Sequence, residues 1–250
     1  MDKQYYREYF ALEREHWWFR ARSEILMGHL RTMVKSRGPL KILNVGAATG
    51  RSTELLGQFG KVTSVEYDGD CCEFTRSNTG LELTRASITT LPFRDEEFDL
   101  VCAFDVIEHV EDDATAVSEM TRVCSTGGLV CVTVPAFMFL WSHHDHINHH
   151  CRRYTGQGLR EVLRKTRMRS VFQSYFNFWL FFPIALYRIV ERWRKPVQRE
   201  DAGSDFFAMR NKMLDRLLYV ILRTEGFLLD TGLRLPVGVS ILSTWRKETR

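Results

Sequence analysis

One stretch at residues 41–50, which reads KILNVGAATG from Lys41 to Gly50, decides the fold of this chain. The apolar run from Ile42 to Val45 predicts a short buried strand, and the small residues behind it predict a tight turn. Because glycine and alanine project almost nothing from the backbone, a ligand can approach such a turn closely. Beyond the turn, the pattern predicts a helix over 49–59 with Thr49 as its cap.

A second predicted strand over 61–66 ends in Glu66, twenty residues after Gly46. A carboxylate at that position can accept hydrogen bonds from both hydroxyls of a ribose. A dinucleotide site requires G-x-G-x-x-G, which would place Arg51 where a close helix contact needs glycine. S-adenosylmethionine carries no phosphate, so the looser pattern of Gly46, Ala48 and Gly50 suffices for it. The alternative is an ordinary glycine-rich turn between a strand and a helix.

Two further stretches extend this pattern along the chain. From Arg85 the sequence reads RASITTLPFRDEEFDLV, followed directly by CAFDVIEHVEDD. Together with residues 41–50, these stretches resemble the class I S-adenosylmethionine-dependent methyltransferases, whose signature reads approximately vLDvGcGtG, gDaxxLPFxdxxFDvV and DVlEHvxd. The resemblance covers residues 40–136. It implies an α/β fold with a Rossmann-like seven-stranded sheet, and S-adenosyl-L-methionine as the cofactor.

Flanking segments look like a bacterial subgroup of that family. HWWFRAR at 16–22 resembles its HWWFRxR element, and WSHHD at 141–145 with HCRRY at 150–154 resembles its WSxHDxxxxHxRRY element. The run RLPVGVS at 234–240 fits the same subgroup. Three positions depart from the family pattern: Asn44 replaces an acid, Ala48 replaces the middle glycine, and Ser87 replaces an aspartate that often contacts adenine.

The resemblance implies a set of cofactor-binding residues. The glycine loop forms the floor under the methionine part, Glu66 holds the ribose, and Asp105 borders the amino-acid end. A helix expected over 3–35 closes over the cofactor, where its aromatic residues shield the sulfonium; the alternative is that they only dock on the core. The complete expected set is Gly46, Ala47, Ala48, Gly50, Glu66, Tyr67, Ser87, Ile88, Asp105, Trp18 and Arg20.

The histidine-rich run at 141–154 is the expected acceptor side of the site. His144, oriented by Asp145, is the predicted general base, because an imidazole titrates near neutral pH. His109 joins this catalytic set, since it follows the fourth strand of the alternating pattern. The acceptor-binding residues expected on the same run are His150, Arg152, Arg153 and Tyr154. The alternative is that the run only caps a helix over 155–167.

No metal is expected in this run. Its histidines and Cys151 lack the regular spacing and rigid element that metal sites require. The six cysteines of the chain show no C-x-x-C pair, which favours reduced thiols. A net charge of +4 argues against a dedicated nucleic-acid binder, and the charged first residues argue against a signal peptide. The expected location is therefore the cytoplasm.

The alternation of strands and helices predicts four segments. They are an N-terminal helical cap at 1–38, a cofactor-binding core at 39–177, a helical insertion at 178–236 and a final antiparallel strand at 237–250. The insertion contains predicted helices over 178–194 and 206–224. The apolar run in the first is too short to span a membrane. We favour a lid or homodimer arm, with peripheral membrane contact through 178–195 as the alternative.

These patterns predict a methyltransferase that modifies an oxygen, nitrogen or carbon nucleophile of a small molecule. A secondary metabolite, a saccharide and a lipid intermediate are the acceptor classes that the resemblance implies. Phe104-Asp105-Val106-Ile107 stands where enzymes that methylate exocyclic base amines carry N/D/S-P-P-Y/F, which argues against such an enzyme. Two alternatives stay open: a non-catalytic S-adenosylmethionine-binding partner subunit, and an RNA methyltransferase that uses the basic stretch at 152–169.

Overall fold

The computed structural model describes residues 3–35, 38–193 and 212–248. Within them lies one sheet of seven strands in the order β3-β2-β1-β4-β5-β7-β6. The strands are β1 Leu40–Val45, β2 Gly60–Glu66, β3 Thr84–Arg85, β4 Phe98–Phe104, β5 Cys124–Pro135, β6 Met168–Phe176 and β7 Ser240–Lys247. Strands β1 to β5 pair in parallel, and β7 runs antiparallel to both β5 and β6. The predicted fold class and the antiparallel last strand are confirmed.

Helices cover both faces of this sheet. They are α1 Lys3–Glu15, α2 Trp17–Val34, α3 Arg51–Leu56, α4 Gly69–Thr79, α5 Asp113–Val123, α6 His143–Ile147, α7 Gly156–Arg164, α8 Phe178–Trp193 and α9 Lys212–Asp230. Buried residues of α5 and α7 pack in the core on one face, and those of α2, α3 and α9 pack in the core on the other. This leaves the carboxyl ends of the parallel strands as the edge where ligands bind in such folds.

Several boundaries differ from the sequence-based prediction. The single helix expected over 3–35 is two helices, because His16 is extended and its Nδ1 accepts a hydrogen bond from the Trp18 backbone N–H at 3.3 Å. The helix after the glycine loop begins at Arg51, since Gly50 precedes it with a left-handed φ of 88°. Thr49 is therefore not its cap. The strand expected over 81–85 is reduced to Thr84–Arg85.

The expected insertion divides into two parts with different packing. Helix α9 belongs to the core layer, where Leu222 and Leu229 are buried. Its Gly226 lies so close to α2 that an added Cβ would be 3.2 Å from Ile25 Cγ1. Residues 194–211, with the first six residues of the helix expected over 206–224, lie outside the described residues. Among the described helices, none combines the length and the apolar character that crossing a membrane requires.

Candidate functional site

The glycine loop after β1 is shaped by its backbone. Gly46 and Gly50 have φ angles of 69° and 88°, and Ala48 has a φ of 45°. The Gly46 N–H donates to the Val65 carbonyl oxygen at 2.9 Å, which holds the loop against β2. A Cβ added at Gly46 would lie 2.5 Å from Val106 Cγ2, so only glycine fits where the loop passes the segment after β4. The loop therefore presents backbone to the crevice between β1 and β4.

Glu66 lies at the end of β2 beside this loop. Its carboxylate accepts hydrogen bonds from the backbone N–H groups of Ala48 at 3.0 Å, Tyr67 at 2.8 Å and Asp68 at 3.1 Å. These bonds join the glycine loop to the loop after β2. The Tyr67 side chain is 74% exposed, so one aromatic face is available beside the carboxylate. Glu66 is thus fixed at the carboxyl end of β2, next to the glycine loop.

Ser87 and Ile88 follow β3 next to the same edge. The Ala86 N–H donates to the Glu66 carbonyl oxygen at 3.0 Å, which places Ser87 just beyond the end of β2. Ser87 Oγ lies 2.7 Å from Thr89 Oγ1 and caps a local turn. Ile88 is buried in the core. The two residues therefore border the cofactor crevice on the side away from β4.

Asp105 ends the crevice on the β4 side, with a left-handed φ of 56°. Arg22 of α2 donates to its Oδ2 at 2.6 Å and to Thr133 Oγ1 at 2.9 Å, and Thr133 donates to Asp105 Oδ1 at 2.9 Å. The Arg22 guanidinium lies 5.7 Å from the Trp18 ring centroid. Helix α2 therefore brings Arg22 and Trp18 to the carboxyl ends of β4 and β5.

Arg20 is not brought to this crevice. Its guanidinium lies 5.2 Å from the Tyr219 ring centroid, and the side chain lines a surface cleft between α2 and α9 with Trp17 and Lys212. The reason is helical geometry, because residues two positions apart point to different faces of a helix. Of Arg20 and Arg22 of α2, only Arg22 lies at the crevice, where it donates to Asp105.

Helix α1 covers the glycine loop through contacts that the sequence analysis missed. Thr49 donates a short hydrogen bond to the Glu13 carboxylate, and Arg14 donates to the Thr49 carbonyl oxygen at 3.4 Å. Tyr6 donates to Asp68 Oδ2 at 2.6 Å on the loop after β2. Desolvation raises the pKa of Glu13 to about 7, against the lowering effect of the Thr49 hydrogen bond. No local pattern signals these pairs, since each joins residues at least 35 positions apart.

In the 141–154 run, Asp145 is the structural centre. Its fully buried carboxylate accepts from His150 Nδ1 at 2.8 Å and from Arg153 Nε and Nη2 at 2.8 and 2.9 Å. It also accepts from the Ser142 backbone N–H at 2.8 Å and closes a capping box at the start of α6. Burial alone would raise the pKa of Asp145, but the hydrogen bonds from His150 and Arg153 outweigh it and hold the pKa far below its usual range.

The sequence expected His144 to be oriented by Asp145, and the structure differs. The Asp145 carboxylate binds His150, whereas the Asn148 Nδ2 group lies 3.2 Å from the ring nitrogens of His144 and donates to the His144 carbonyl oxygen at 2.8 Å. The short helix α6 explains this, because it turns adjacent side chains to different sides. The spacing Ser142-x-x-Asp145 is a capping-box signature that could have predicted α6.

The remaining residues of this run are also engaged inside the protein. Arg152 pairs with Asp113 at 2.8 Å and donates to the Glu111 carbonyl oxygen at 2.7 Å. Tyr154 is buried, and its hydroxyl donates to Asp113 Oδ2 at 2.7 Å. With Arg153 bound to Asp145, these side chains hold the loop in place. The acceptor contacts expected of these residues stay a prediction.

His109 and His150 meet beside a buried acid. Their ring centroids lie 4.6 Å apart, and Glu108, His109 and His150 can each offer a metal-ligand atom within 4.8 Å of the others. Although His109 is partly exposed, desolvation of its ring and the nearby His150 lower its pKa to about 4. The irregular spacing of the histidine run predicts no metal there, and Glu108 and His109 lie outside that run.

Comparison with known proteins identifies relatives of the central segment. A family model described as a methyltransferase domain matches residues 43–132. A probable S-adenosylmethionine-dependent methyltransferase of Mycobacterium tuberculosis is 32% identical over 126 residues, covering 50% of this chain and 44% of that protein. A phosphatidylethanolamine N-methyltransferase of Cereibacter sphaeroides is 34% identical over 106 residues, covering 40% and 52%. The chain spans about half the length of these curated relatives.

Among solved structures, the PH0226 protein from Pyrococcus horikoshii OT3 superposes with a TM-score of 0.61. The match covers 99% of this chain and 100% of that chain at 14% sequence identity, so it shows the fold alone. The fold and the relatives confirm the resemblance to S-adenosylmethionine-dependent methyltransferases that the sequence predicts. The chain has the fold of the class I methyltransferases, and its residues 43–132 match a methyltransferase domain whose relatives include probable S-adenosylmethionine-dependent methyltransferases.

Proposed function

We propose that this chain binds S-adenosyl-L-methionine and transfers its methyl group to a small-molecule acceptor with an apolar portion. The observation that carries the proposal is the crevice at the carboxyl ends of β1, β2 and β4. It is lined by loop backbone at Gly46, by the Glu66 carboxylate and by Asp105, which is paired with Arg22. This lining fits a nucleoside with a short charged tail better than it fits a dinucleotide.

In this proposal the residues at the crevice bind and align the cofactor. Glu66 accepts the ribose hydroxyls, Tyr67 and Ser87 flank the adenine, and Arg22 with Asp105 meets the amino-acid end. S-Adenosylmethionine supplies a methyl group on a positively charged sulfur, which leaves as a neutral thioether when the acceptor lone pair bonds to the methyl carbon. The chain therefore contributes mainly alignment and exclusion of water.

An aromatic surface supports an apolar acceptor. Phe137, directly after β5, stacks on Tyr175 with ring centroids 5.0 Å apart and an interplanar angle of 8°. Phe181 of α8 lies 5.8 Å from the Phe137 centroid and 6.2 Å from that of Phe139. The first turns of α8 thus cover the carboxyl end of β5, which supports a lid over the acceptor side. The phospholipid headgroup named in the Cereibacter sphaeroides relative is one acceptor of this kind.

The outer face of α8 supports a contact beyond the chain. Phe182 is 54% exposed and Leu186 is 64% exposed, and both lie on the same helix as the lid residue Phe181. We propose two partners for this exposed face of α8: a membrane surface, contacted peripherally, or a second copy of the chain in a homodimer. Flotation with anionic vesicles distinguishes them from each other, since a dimer formed through α8 stays in the protein fraction at low salt.

His144 is the better candidate for the general base of this proposal. A pKa near 4 leaves His109 neutral at pH 7, but it also makes that imidazole a weak proton acceptor. His144 belongs to the 141–154 run, on the expected acceptor side. Asn148 Nδ2 donates to its carbonyl oxygen and so fixes its position. Replacing His144 with Ala is therefore expected to lower turnover and to leave cofactor affinity unchanged.

The cofactor assignment is tested by calorimetry with S-adenosylhomocysteine, the thioether product. Glu66→Ala removes both ribose contacts and the bond to the Ala48 N–H, so affinity is expected to fall at least about tenfold. The matched control is Glu82→Ala, because Glu82 is an exposed acid on the loop between α4 and β3. This variant is expected to keep the parent affinity. Equal affinity in both variants would contradict the proposed site.

Acceptor class is tested with S-adenosylmethionine that carries a tritiated methyl group. Phospholipid vesicles, soluble aromatic phenols and bulk RNA are offered separately to the purified chain. The proposal expects label in the lipid or phenol fraction, and loss of that label when Phe181 is replaced with Asp in the lid. Label confined to RNA would overturn the small-molecule acceptor.

A further inference from the structure

The turn after β4 buries an acid that has no partner. Glu108 is fully buried, and neither of its carboxylate oxygens accepts a hydrogen bond from any residue that the structure describes. A buried polar group without a partner costs folding free energy, and a buried carboxylate costs the most. Such a group therefore requires an explanation in terms of a ligand or a function.

Two imidazoles face this acid from different parts of the chain. Ligand atoms of Glu108, His109 and His150 all lie within 4.8 Å of one another. His150 donates from Nδ1 to Asp145 Oδ1 at 2.8 Å, which leaves its Nε2 with a lone pair. Arg153 holds the same carboxylate with two hydrogen bonds. An imidazole fixed from behind by a carboxylate is the arrangement that orients histidine ligands in metal sites.

The turn and the loop are held together by independent bonds. The Cys151 N–H donates to the Glu108 carbonyl oxygen at 2.7 Å, and Arg152 donates to the Glu111 carbonyl oxygen at 2.7 Å. The buried Tyr154 side chain donates to Asp113, which adds another bond between the 141–154 loop and the segment after β4. These bonds fix His150 over the turn, so the meeting of the three side chains is a built feature of the fold.

We propose that Glu108, His109 and His150 bind one divalent transition-metal cation. One carboxylate and two imidazoles match Zn²⁺, Co²⁺ and Mn²⁺, whereas Mg²⁺ prefers oxygen ligands alone. Metal–ligand bonds of about 2.0–2.2 Å require the three ligand atoms to draw together by roughly an ångström. His109 has room to do so, because its side chain is partly exposed at the mouth of the site.

The position of the site suggests what the cation does. Glu108 follows Asp105 by three residues at the edge where the acceptor is expected, and three protein ligands leave at least one coordination position open. The cation would lower the pKa of an acceptor hydroxyl bound there, and the proton would pass to His144, whose ring centroid lies 6.2 Å from that of His150. This role rests on the proposed function, whereas the binding of the cation does not.

Cobalt binding tests the site directly. The full chain is freed of metal with a chelator and titrated with Co²⁺, whose visible absorption reports nitrogen and oxygen coordination. We expect one equivalent to bind and Zn²⁺ to displace it. Glu108→Gln, His109→Ala and His150→Ala are each expected to weaken Co²⁺ binding at least about tenfold. His143→Ala, an exposed histidine on the same loop, and Cys151→Ser keep the parent affinity.

Three controls make the result decisive. Because His150→Ala also removes a partner of Asp145, the exposed His109→Ala supplies the variant that keeps the fold, and thermal unfolding is followed for each protein. S-Adenosylhomocysteine affinity is measured in parallel, so a failed cofactor site is distinguished from a failed metal site. Absence of cobalt absorption in the parent chain, or binding that survives His109→Ala and Glu108→Gln, would overturn the proposal.

Discussion

The glycine loop and the 141–154 loop both contact the carboxyl ends of the parallel strands, yet different parts of the chain hold them in shape. The glycine loop takes its shape from backbone: Gly46 and Gly50 have left-handed φ angles, and Glu66 binds three backbone N–H groups. The 141–154 loop takes its shape from side chains, which converge on the buried carboxylate of Asp145. Small residues therefore allow the conformation of the glycine loop, whereas the Asp145 carboxylate stabilises the conformation of the 141–154 loop.

The largest expected effect comes from removing that charge. Asp145→Ala leaves Arg153 buried without its partner and frees His150, which is expected to lower the free energy of unfolding by about 3–5 kcal/mol. Urea denaturation at pH 7 measures this loss. Ser142→Ala removes the side-chain part of the capping box and the hydrogen bond from the Ser142 hydroxyl to Asp145 Oδ2, but leaves the Asp145 charge paired with Arg153, and is expected to cost about 1 kcal/mol. Similar losses in both variants would mean that the loop does not depend on the Asp145 charge.

The same comparison has a pH dependence with a definite sign. The pKa of Asp145 in the folded chain is far below its unfolded value of 3.8. Its contribution is therefore present above about pH 4 and is lost as the pH falls through the folded pKa. The difference between the parent chain and Asp145→Ala is expected to be constant from pH 5 to 7 and to shrink below pH 4.

A smaller loss of stability is expected when a side chain is added to the glycine loop. Gly46→Ala combines left-handed strain of about 1–2 kcal/mol with a contact of 2.5 Å to Val106. Gly80→Ala is the matched control, because Gly80 has a similar φ of 74° and nothing within 4 Å of an added Cβ. Both variants lose stability, but only Gly46→Ala is expected to weaken S-adenosylhomocysteine binding, by about tenfold. Equal binding would show that the loop tolerates a side chain.

The smallest effect is expected at the contact between α1 and the glycine loop. Desolvation raises the pKa of Glu13 from 4.5 to about 7, so docking of α1 is most favourable below pH 4.5 and weakens as the pH rises through 7. Glu13→Gln is expected to remove this dependence, since an amide does not titrate. Hydrogen exchange of the α1 amides, corrected for the intrinsic rate at each pH, measures it. A dependence that persists in the variant would exclude Glu13 as its source.

Local pattern was enough to predict most of the sheet and the cofactor side. Buried parallel strands read as apolar runs, and a turn of Gly46, Ala48 and Gly50 is visible because residues within ten positions determine it. The acid at Glu66 was found in the same way, by its position after the second strand. The position of Arg20 was not predicted, because it depends on which face of α2 packs against the sheet.

By itself, the sequence determined the resemblance to class I methyltransferases, the α/β fold with its antiparallel last strand and the tight turn after β1, because these follow from short-range patterns of small and apolar residues. Only the tertiary structure decided that Asp145 serves His150 and not His144, and that Glu108 and His109 meet His150. The first pairing depends on how the short helix α6 turns its side chains, and the second joins Glu108 to a histidine 42 positions later. Long-range side-chain contacts depend on how helices and loops pack, and no local periodicity encodes that packing.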